Sequence, residues 1–454
     1  GASCPVPNGT WRGEKVATGK NEGVGLAGAA LAAPVLSRSV FDRFEISMMS
    51  VLKNRAYRHM FGAQVVALIG TGLLTVALGL LAYDLAGPNA GAVLGTALAI
   101  KMIAYIGVGP IANAFADRLP RRPLLVSLDL IRAAIALVLP FVTEVWQIYI
   151  LIFVLQSASA AFTPTFQATI PDLLPDEKDY TRALSLARLA YDLESLASPV
   201  IAAALLTVIS FNLLFVGTVA GFLLSAALVV SVALPRPKAK PREGGIFDRT
   251  TYGLRLYLKT PRLRALLAFS LSAAAAGAFV FVNNVVYVRT LLGKGENDVP
   301  VSLAAFGAGS IIAALILPKL LVDRADRSVM LSATVLMVVT LTGMAVVTGF
   351  HLLPLWPALL VGLFILGMGY CAAQLPSGRL IRRSGDEQTL SALFAAQFAL
   401  SHACWLVTYS LSGWIGAAFG LVAALLAMAV LALMGFVFAL WLWPKEGRPE
   451  KRKV

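Results

Sequence analysis

An all-α membrane protein of twelve transmembrane helices is the fold class this sequence predicts, and three observations predict it. Of 454 residues, 58% are hydrophobic and only 14% charged, where soluble domains carry about 25% charged residues. With a mean hydropathy of +0.79, the chain has more apolar surface than a water-facing shell can enclose. Twelve apolar stretches are each long enough, at about 1.5 Å per residue, to cross hydrocarbon about 30 Å thick. Finally, lysines and arginines alternate between connections that are rich in them and connections that are almost free of them. The net charge of +14 therefore reads as orienting charge, and no nucleic acid and no cofactor is expected. Three cysteines, Cys4, Cys371 and Cys404, exclude a disulfide-stapled secreted domain.

Residues 1–50 read as a disordered N-terminal extension. The apolar run 23–36 is too short to span, and the first methionines, Met48 and Met49, stand just before the basic Lys53, Arg55 and Arg58, which places the functional start there. The apolar stretches follow at 61–84, 91–115, 123–142, 146–170, 183–208, 211–234, 264–290, 301–322, 329–350, 353–376, 388–413 and 416–443. Connections 84–90, 143–145, 209–210, 291–300, 351–352 and 414–415 hold Lys294 as their only lysine or arginine. The opposite side carries Arg118, Arg121 and Arg122, then Lys178 and Arg182, then Arg324 and Arg327, then Arg379, Arg382 and Arg383, with Lys445, Arg448, Lys451, Arg452 and Lys453 in the tail 444–454. The positive-inside rule then puts both termini in the cytosol of a multi-pass protein of the cell inner membrane.

A basic linker, 235–263, separates six-helix halves at 51–234 and 264–443. Over 235–264, nine lysines and arginines face two acids. The second part, Ile246 to Leu258, is amphipathic and suited to lying on an anionic inner leaflet. The halves repeat. Asp117-Arg118-Leu119-Pro120-Arg121 returns 206 positions later as Asp323-Arg324-Ala325-Asp326-Arg327, Trp146 returns 210 positions later as Trp356, and Asp176-Glu177 at the same offset as Asp386-Glu387.

Two parallel six-helix halves resemble the major facilitator superfamily, over about residues 50–443. The loop signature of that family, Gly-x-x-x-Asp-Arg-x-Gly-Arg-Arg, is matched by Asn113-Ala114-Phe115-Ala116-Asp117-Arg118-Leu119-Pro120-Arg121-Arg122, with both glycines replaced. The resemblance implies a cytoplasmic latch between halves, made by Asp117, Arg118, Arg121 and Arg122 and by Asp323, Arg324 and Arg327; the alternative is a charge cluster that only sets topology. Glu194-Ser195-Leu196-Ala197-Ser198-Pro199-Val200-Ile201-Ala202-Ala203 resembles the antiporter signature of the fifth helix, with Glu194 in place of its first glycine. The arginine of the fourth-helix signature falls on Phe153, so no role is carried over there. Asp129-Leu130-Ile131-Arg132, Phe162-Thr163-Pro164 and Ile170-Pro171-Asp172 look like the third drug:proton-antiporter branch, which holds macrolide and siderophore exporters, lysophospholipid flippases and nickel or cobalt resistance proteins. Ser401-His402-Ala403-Cys404-Trp405-Leu406 looks most like the nickel-resistance group.

An ionisable group in mid-membrane costs several kcal/mol and needs a partner or a task. Lys101, Asp192, Glu194 and His402 all fall near the midplane of their stretches and are the proton-coupling candidates. Arg188 is four residues from Asp192 and Asp129 three from Arg132, spacings at which each pair can satisfy itself. Glu194 shares a stripe with Ser198 and Ala202, which the family layout would pack against the eighth helix near Gly307 and Gly309. Imidazole, thiolate and carboxylate together suit nickel, cobalt or zinc, so His402, Cys404 and Glu194 are candidate metal ligands. Two-residue spacing nevertheless keeps His402 and Cys404 from facing one site. Gln64, Thr71, Gln156, Asn283, Asn284 and Gln374 are candidates for a substrate path; the alternative is that they hydrogen-bond helix to helix.

No Gly-x-x-x-x-Gly-Lys-Ser/Thr occurs, so transport is expected to be secondary and the chain not an enzyme. The expectation is a monomeric, proton-coupled efflux pump for a toxic small molecule or drug, with a nickel or cobalt exporter as the alternative. A non-transporting sensor or scaffold is the alternative of a different class.

Overall fold

The computed structural model describes residues 50–116, 119–234, 246–323, 325–385 and 389–443. Among them are twelve helices of 18 residues or more: α1 (Arg55–Ala86), α2 (Ala90–Ala116), α3 (Arg121–Val138), α4 (Val145–Leu173), α5 (Glu177–Leu206), α6 (Phe211–Val230), α7 (Pro261–Ala278), α8 (Asp298–Asp323), α9 (Asp326–Phe350), α10 (Leu355–Gln374), α11 (Leu390–Phe419) and α12 (Leu421–Leu442). A linker helix, Ile246–Lys259, precedes α7, and a six-residue helix, Ser377–Arg382, follows α10. Among the described residues ten runs are long and apolar enough to cross a membrane, the first of which, Arg55–Gly109, takes in α1 and most of α2. Helix α5 is not among them; its 30 residues include seven charged ones. The chain is an all-α, multi-pass membrane protein. The predicted extension 1–49 and tail 444–454 lie outside the described residues.

Local chemistry sets the helix ends. Asn54 caps α1 by accepting from the Tyr57 amide at 3.1 Å, while its own amide donates to the Leu173 carbonyl at the end of α4. Gly87, at φ +52°, breaks α1 from α2. Glu144 and Gln147 form a capping box on α4, and Pro261 opens α7 at a position where no amide hydrogen is needed.

Eleven of the predicted stretches match their helices to within a turn or two, and the eleventh differs in an informative way. It was expected to end at 413 beside Gly413 and Gly416, but α11 runs to Phe419 and stops at Gly420, whose φ of +85° is open to glycine and strained for other residues. Gly413 stays helical because its bare backbone meets Gly91 and Gly95 of α2; a β-carbon there would collide with the Gly91 carbonyl.

Helix α1 packs on α5 and α6, α2 on α4, and α3 on α4 and α6; α7 packs on α11 and α12, α8 on α10, and α9 on α10 and α12. Two seams, α2–α11 and α5–α8, join the first six helices to the last six. Between α3, α4 and α6 the predicted Asp129–Arg132 pair forms and is fully buried. The Ser225 hydroxyl donates to Asp129 at 2.7 Å, and the Arg132 guanidinium sits between the rings of Phe162 and Phe222, 4.2 and 4.6 Å from their centroids.

Beyond Ala278, α7 widens into two π-helical turns, Phe279–Asn283 and Tyr287–Leu291, which nothing in the sequence predicted. Here the Asn283 amide donates to the Ser412 carbonyl at 3.0 Å and to its hydroxyl at 2.7 Å, and Asn284 bonds Ser302 of α8 at 2.7 Å. Both asparagines are buried and bonded to neighbouring helices, as in the helix-to-helix alternative to a substrate path.

Candidate functional site

Three of the charged residues noted separately in the sequence converge. Lys101 on α2 interacts electrostatically with Glu194 on α5 and with His402 on α11. All three are half-buried. Tyr105, one turn after Lys101, joins them: the ammonium lies 5.9 Å from its ring centroid and the His402 ring 5.5 Å from it. On the other side His402 stacks on Phe398, with ring centroids 3.9 Å apart. His402 Nδ1 is 2.7 Å from the Phe398 carbonyl. A carbonyl only accepts, so Nδ1 carries the hydrogen and Nε2 is left with the lone pair.

The Glu194–Ser198 edge of α5 does not face α8. Ser198 Oγ and Glu194 Oε1 crowd against Gly72 of α1, where any β-carbon would overlap the Ser198 hydroxyl. Gly309 is turned away as well, its backbone lying against the Phe364 carbonyl of α10. Helix α5 does meet α8, as expected, while the described contact of this edge is with α1.

Next to this charged group stands an aromatic wall. Phe281 of α7, Phe306 of α8, Tyr370 of α10 and Trp405 of α11 form a closed circuit with centroid separations of 5.8, 5.6, 6.3 and 6.2 Å. Tyr409 adds to it at 4.8 Å from Trp405. The Trp405 indole has room because it lies over Gly277, where a β-carbon would strike the ring. Phe281, Tyr370 and Trp405 remain only partly buried. Along the α2-facing side of α11, exposure rises from 8% at Tyr409 to 44% at Phe398. The two helices touch through glycine at the Gly91–Gly413 end and through Tyr105 and Phe398, with ring centroids 6.0 Å apart, nearer the end that bears the linker helix.

Of the other candidates, Gln64 and Gln156 are buried, and their amide oxygens find no hydrogen-bond partner, which leaves two acceptors for a guest or a water. Thr71 bonds its own helix at Ala67, and Gln374 is half-buried at the end of α10. Cys404 lies on the α11 face toward Tyr257, turned from His402 as the spacing required. Among the described residues no group of three or more His, Cys, Asp or Glu could hold a metal ion. The side chain of Asp192 lies outside the described residues.

At the linker-helix end, Arg121 pairs with Asp172 of α4, and Arg122 donates to the Val230 carbonyl of α6. Asp326 accepts from Arg379 and, at 3.0 Å, from Arg383. These described pairs tie α3 to α4 and α9 to the helix after α10, so each stays within one set of six helices and does not bridge the seams. Arg327 is half-buried in the first turn of α9. Asp117, Arg118, Arg324 and the side chain of Asp323 lie outside the described residues.

Sequence reasoning missed Tyr105 and the aromatic wall. A signal was present: Phe398, His402, Trp405 and Tyr409 recur at steps of four, three and four, which spells one face of a helix.

The sequence profile described as Major Facilitator Superfamily matches residues 60–324 and 265–454. Macrolide efflux protein A of Streptococcus pyogenes is 24% identical over 307 residues, covering 64% of this chain and 74% of that protein. An uncharacterized MFS-type transporter of Bacillus subtilis, YfiS, is 24% identical over 269 residues, covering 57% of this chain and 62% of that protein. Among solved structures, a mutant of the nucleoside transporter NupG aligns with a TM-score of 0.67 at 12% identity, covering 86% of this chain and 100% of that one. A bacterial homolog of the human lysosomal transporter Spinster, in an inward-facing and unoccupied conformation, aligns at 0.63 and 12%, covering 85% and 96%. At that identity the likeness concerns the fold.

Proposed function

The chain belongs to the Major Facilitator Superfamily, a secondary transporter rather than an enzyme, and from that premise we propose that it is a proton-coupled efflux pump for a toxic small molecule. The observation that carries this reading is the meeting of Lys101, Glu194 and His402 from α2, α5 and α11 beside a partly open aromatic wall. A carboxyl group at this place is either ionised and paired with Lys101 or protonated and neutral. Passing between those states changes the charge of the α2–α5 contact by one unit, without a change of covalent structure. His402 has Nε2 available as a second proton acceptor on the opposing helix. The rings of Phe281, Tyr370 and Trp405 offer apolar stacking area to an organic substrate, and the names of the Streptococcus pyogenes and Enterococcus faecalis relatives, macrolide efflux proteins, favour a drug-like one.

The packing supports alternating access. The pairs α1–α6, α3–α6, α2–α4, α3–α4 and α1–α5 recur six helices later as α7–α12, α9–α12, α8–α10, α9–α10 and α7–α11. This recurrence supports two pseudo-symmetric six-helix halves that rock about the α2–α11 and α5–α8 seams. At the Gly91–Gly413 end the backbones of α2 and α11 are in contact.

The test uses proteoliposomes containing a pH-sensitive dye. Adding erythromycin, a lipophilic dye, nickel or cobalt to wild-type vesicles is expected to move protons with the organic compounds, and Glu194→Gln is expected to move none. Proton movement with nickel or cobalt alone would replace this reading by the metal exporter. Flux of no compound in any vesicle would favour the sensor or scaffold.

A further inference from the structure

The linker helix Ile246–Lys259 ends two residues before α7 enters its membrane-crossing run at Pro261. One face is firmly seated. Gly253 lies against the Ala392 carbonyl of α11, where a β-carbon would not fit without displacement. Tyr257 is fully buried; its hydroxyl donates to Gln397 Oε1, and Gln397 Nε2 donates to Ser270 of α7 at 3.1 Å. The helix is thus fastened to α11 and α7 through a single polar chain.

Among the described residues the opposite face is largely exposed. Tyr252 and Leu258 are 54% and 43% exposed, and Arg255, Lys259, Arg262 and Arg264 are exposed beside them. Residues 251–264 include no acid, and none of these four cations forms an ion pair among the described residues. Arg262 and Arg264 belong to the first turn of a membrane-crossing helix and so stand at headgroup depth. Arg255 and Lys259 continue that row onto the linker helix. An aromatic and a leucine interleaved with four cations fit the interface of a bilayer, where apolar groups enter the acyl boundary and cations meet headgroups.

We propose that this face is a docking surface for anionic lipid. Lipid held there fixes the linker helix and, through Tyr257 and Gln397, the segment of α11 that leads to His402 five residues on. Orienting charge alone would account for the four cations but not for the exposed Tyr252 and Leu258 beside them, nor for a seat that transmits force to α11.

The experiment measures amide hydrogen exchange of residues 251–264 in the full chain, in nanodiscs of phosphatidylcholine with or without about 30% phosphatidylglycerol. Phosphatidylglycerol is expected to slow exchange about threefold or more, and about 0.5 M salt to reverse the effect. The variant R255Q/K259Q/R262Q/R264Q should lose the lipid dependence while matching wild type in phosphatidylcholine, which shows the helix still seated through Tyr257. Lipid dependence that is absent from wild type, or that persists in the variant, overturns the proposal. So does protection that follows protein density in phosphatidylcholine alone, since a second copy would then be covering the face.

Discussion

Two groups of charged side chains sit inside this bundle, and they are built on opposite plans. Around Asp129 everything is closed: Arg132 pairs with it, Ser225 donates to it, and Phe162 and Phe222 sandwich the guanidinium. Around Glu194 the contacts are looser, with Ser198 of its own helix as a hydrogen-bond partner. Lys101 attracts it from a neighbouring helix, His402 keeps one ring nitrogen unused, and all three remain half-buried. A satisfied charge in a membrane protein is a fastening, and an unsatisfied one is a place where something else binds. The difference lies in the partners rather than in the residue types.

The comparison can be broken from either side. Arg132→Leu leaves Asp129 buried and uncompensated and is expected to cost about 3–5 kcal/mol, the largest effect here, read as a drop in thermal unfolding temperature. The double change Asp129→Leu with Arg132→Met should recover most of that loss; if it does not, the pair does more than fasten. Glu194→Gln should behave in the reverse manner, with an unfolding temperature close to wild type and proton-coupled flux at the level of protein-free vesicles. Between Lys101→Met and Glu194→Gln, a double-mutant cycle on flux should show a coupling of about 0.5–3 kcal/mol, and additivity would separate the two residues. Asn283→Ala, which removes two bonds between α7 and α11, should cost about 1 kcal/mol, read as a drop in thermal unfolding temperature. The smallest effect is expected for Cys404→Ala, within about 0.5 kcal/mol and without change in nickel tolerance.

The helices were largely legible in the sequence because hydrocarbon imposes a minimum apolar length, and the charged residues because each stood out against an apolar background. What could not be read was which neighbour each would meet. Glu194 was placed against α8 by the family layout, yet Gly72 of α1 opens the notch into which its stripe fits; one missing β-carbon on another helix decides the matter. The aromatic wall was invisible for a related reason. Phenylalanine and tryptophan are ordinary in membrane helices, and only the convergence of four of them distinguishes Phe281, Phe306, Tyr370 and Trp405 from lipid-facing rings. The end of α11 was set too early, at 413, because nothing in the sequence shows that Gly413 serves a close contact with α2.

The wide turns of α7 carry a mechanical consequence. Asn283 and Asn284 are consecutive, yet one is bonded to α11 and the other to α8. Helices α8 and α11 each take part in one of the two seams. One segment of α7 therefore ties together α11 and α8, the two helices through which the last six helices meet the first six.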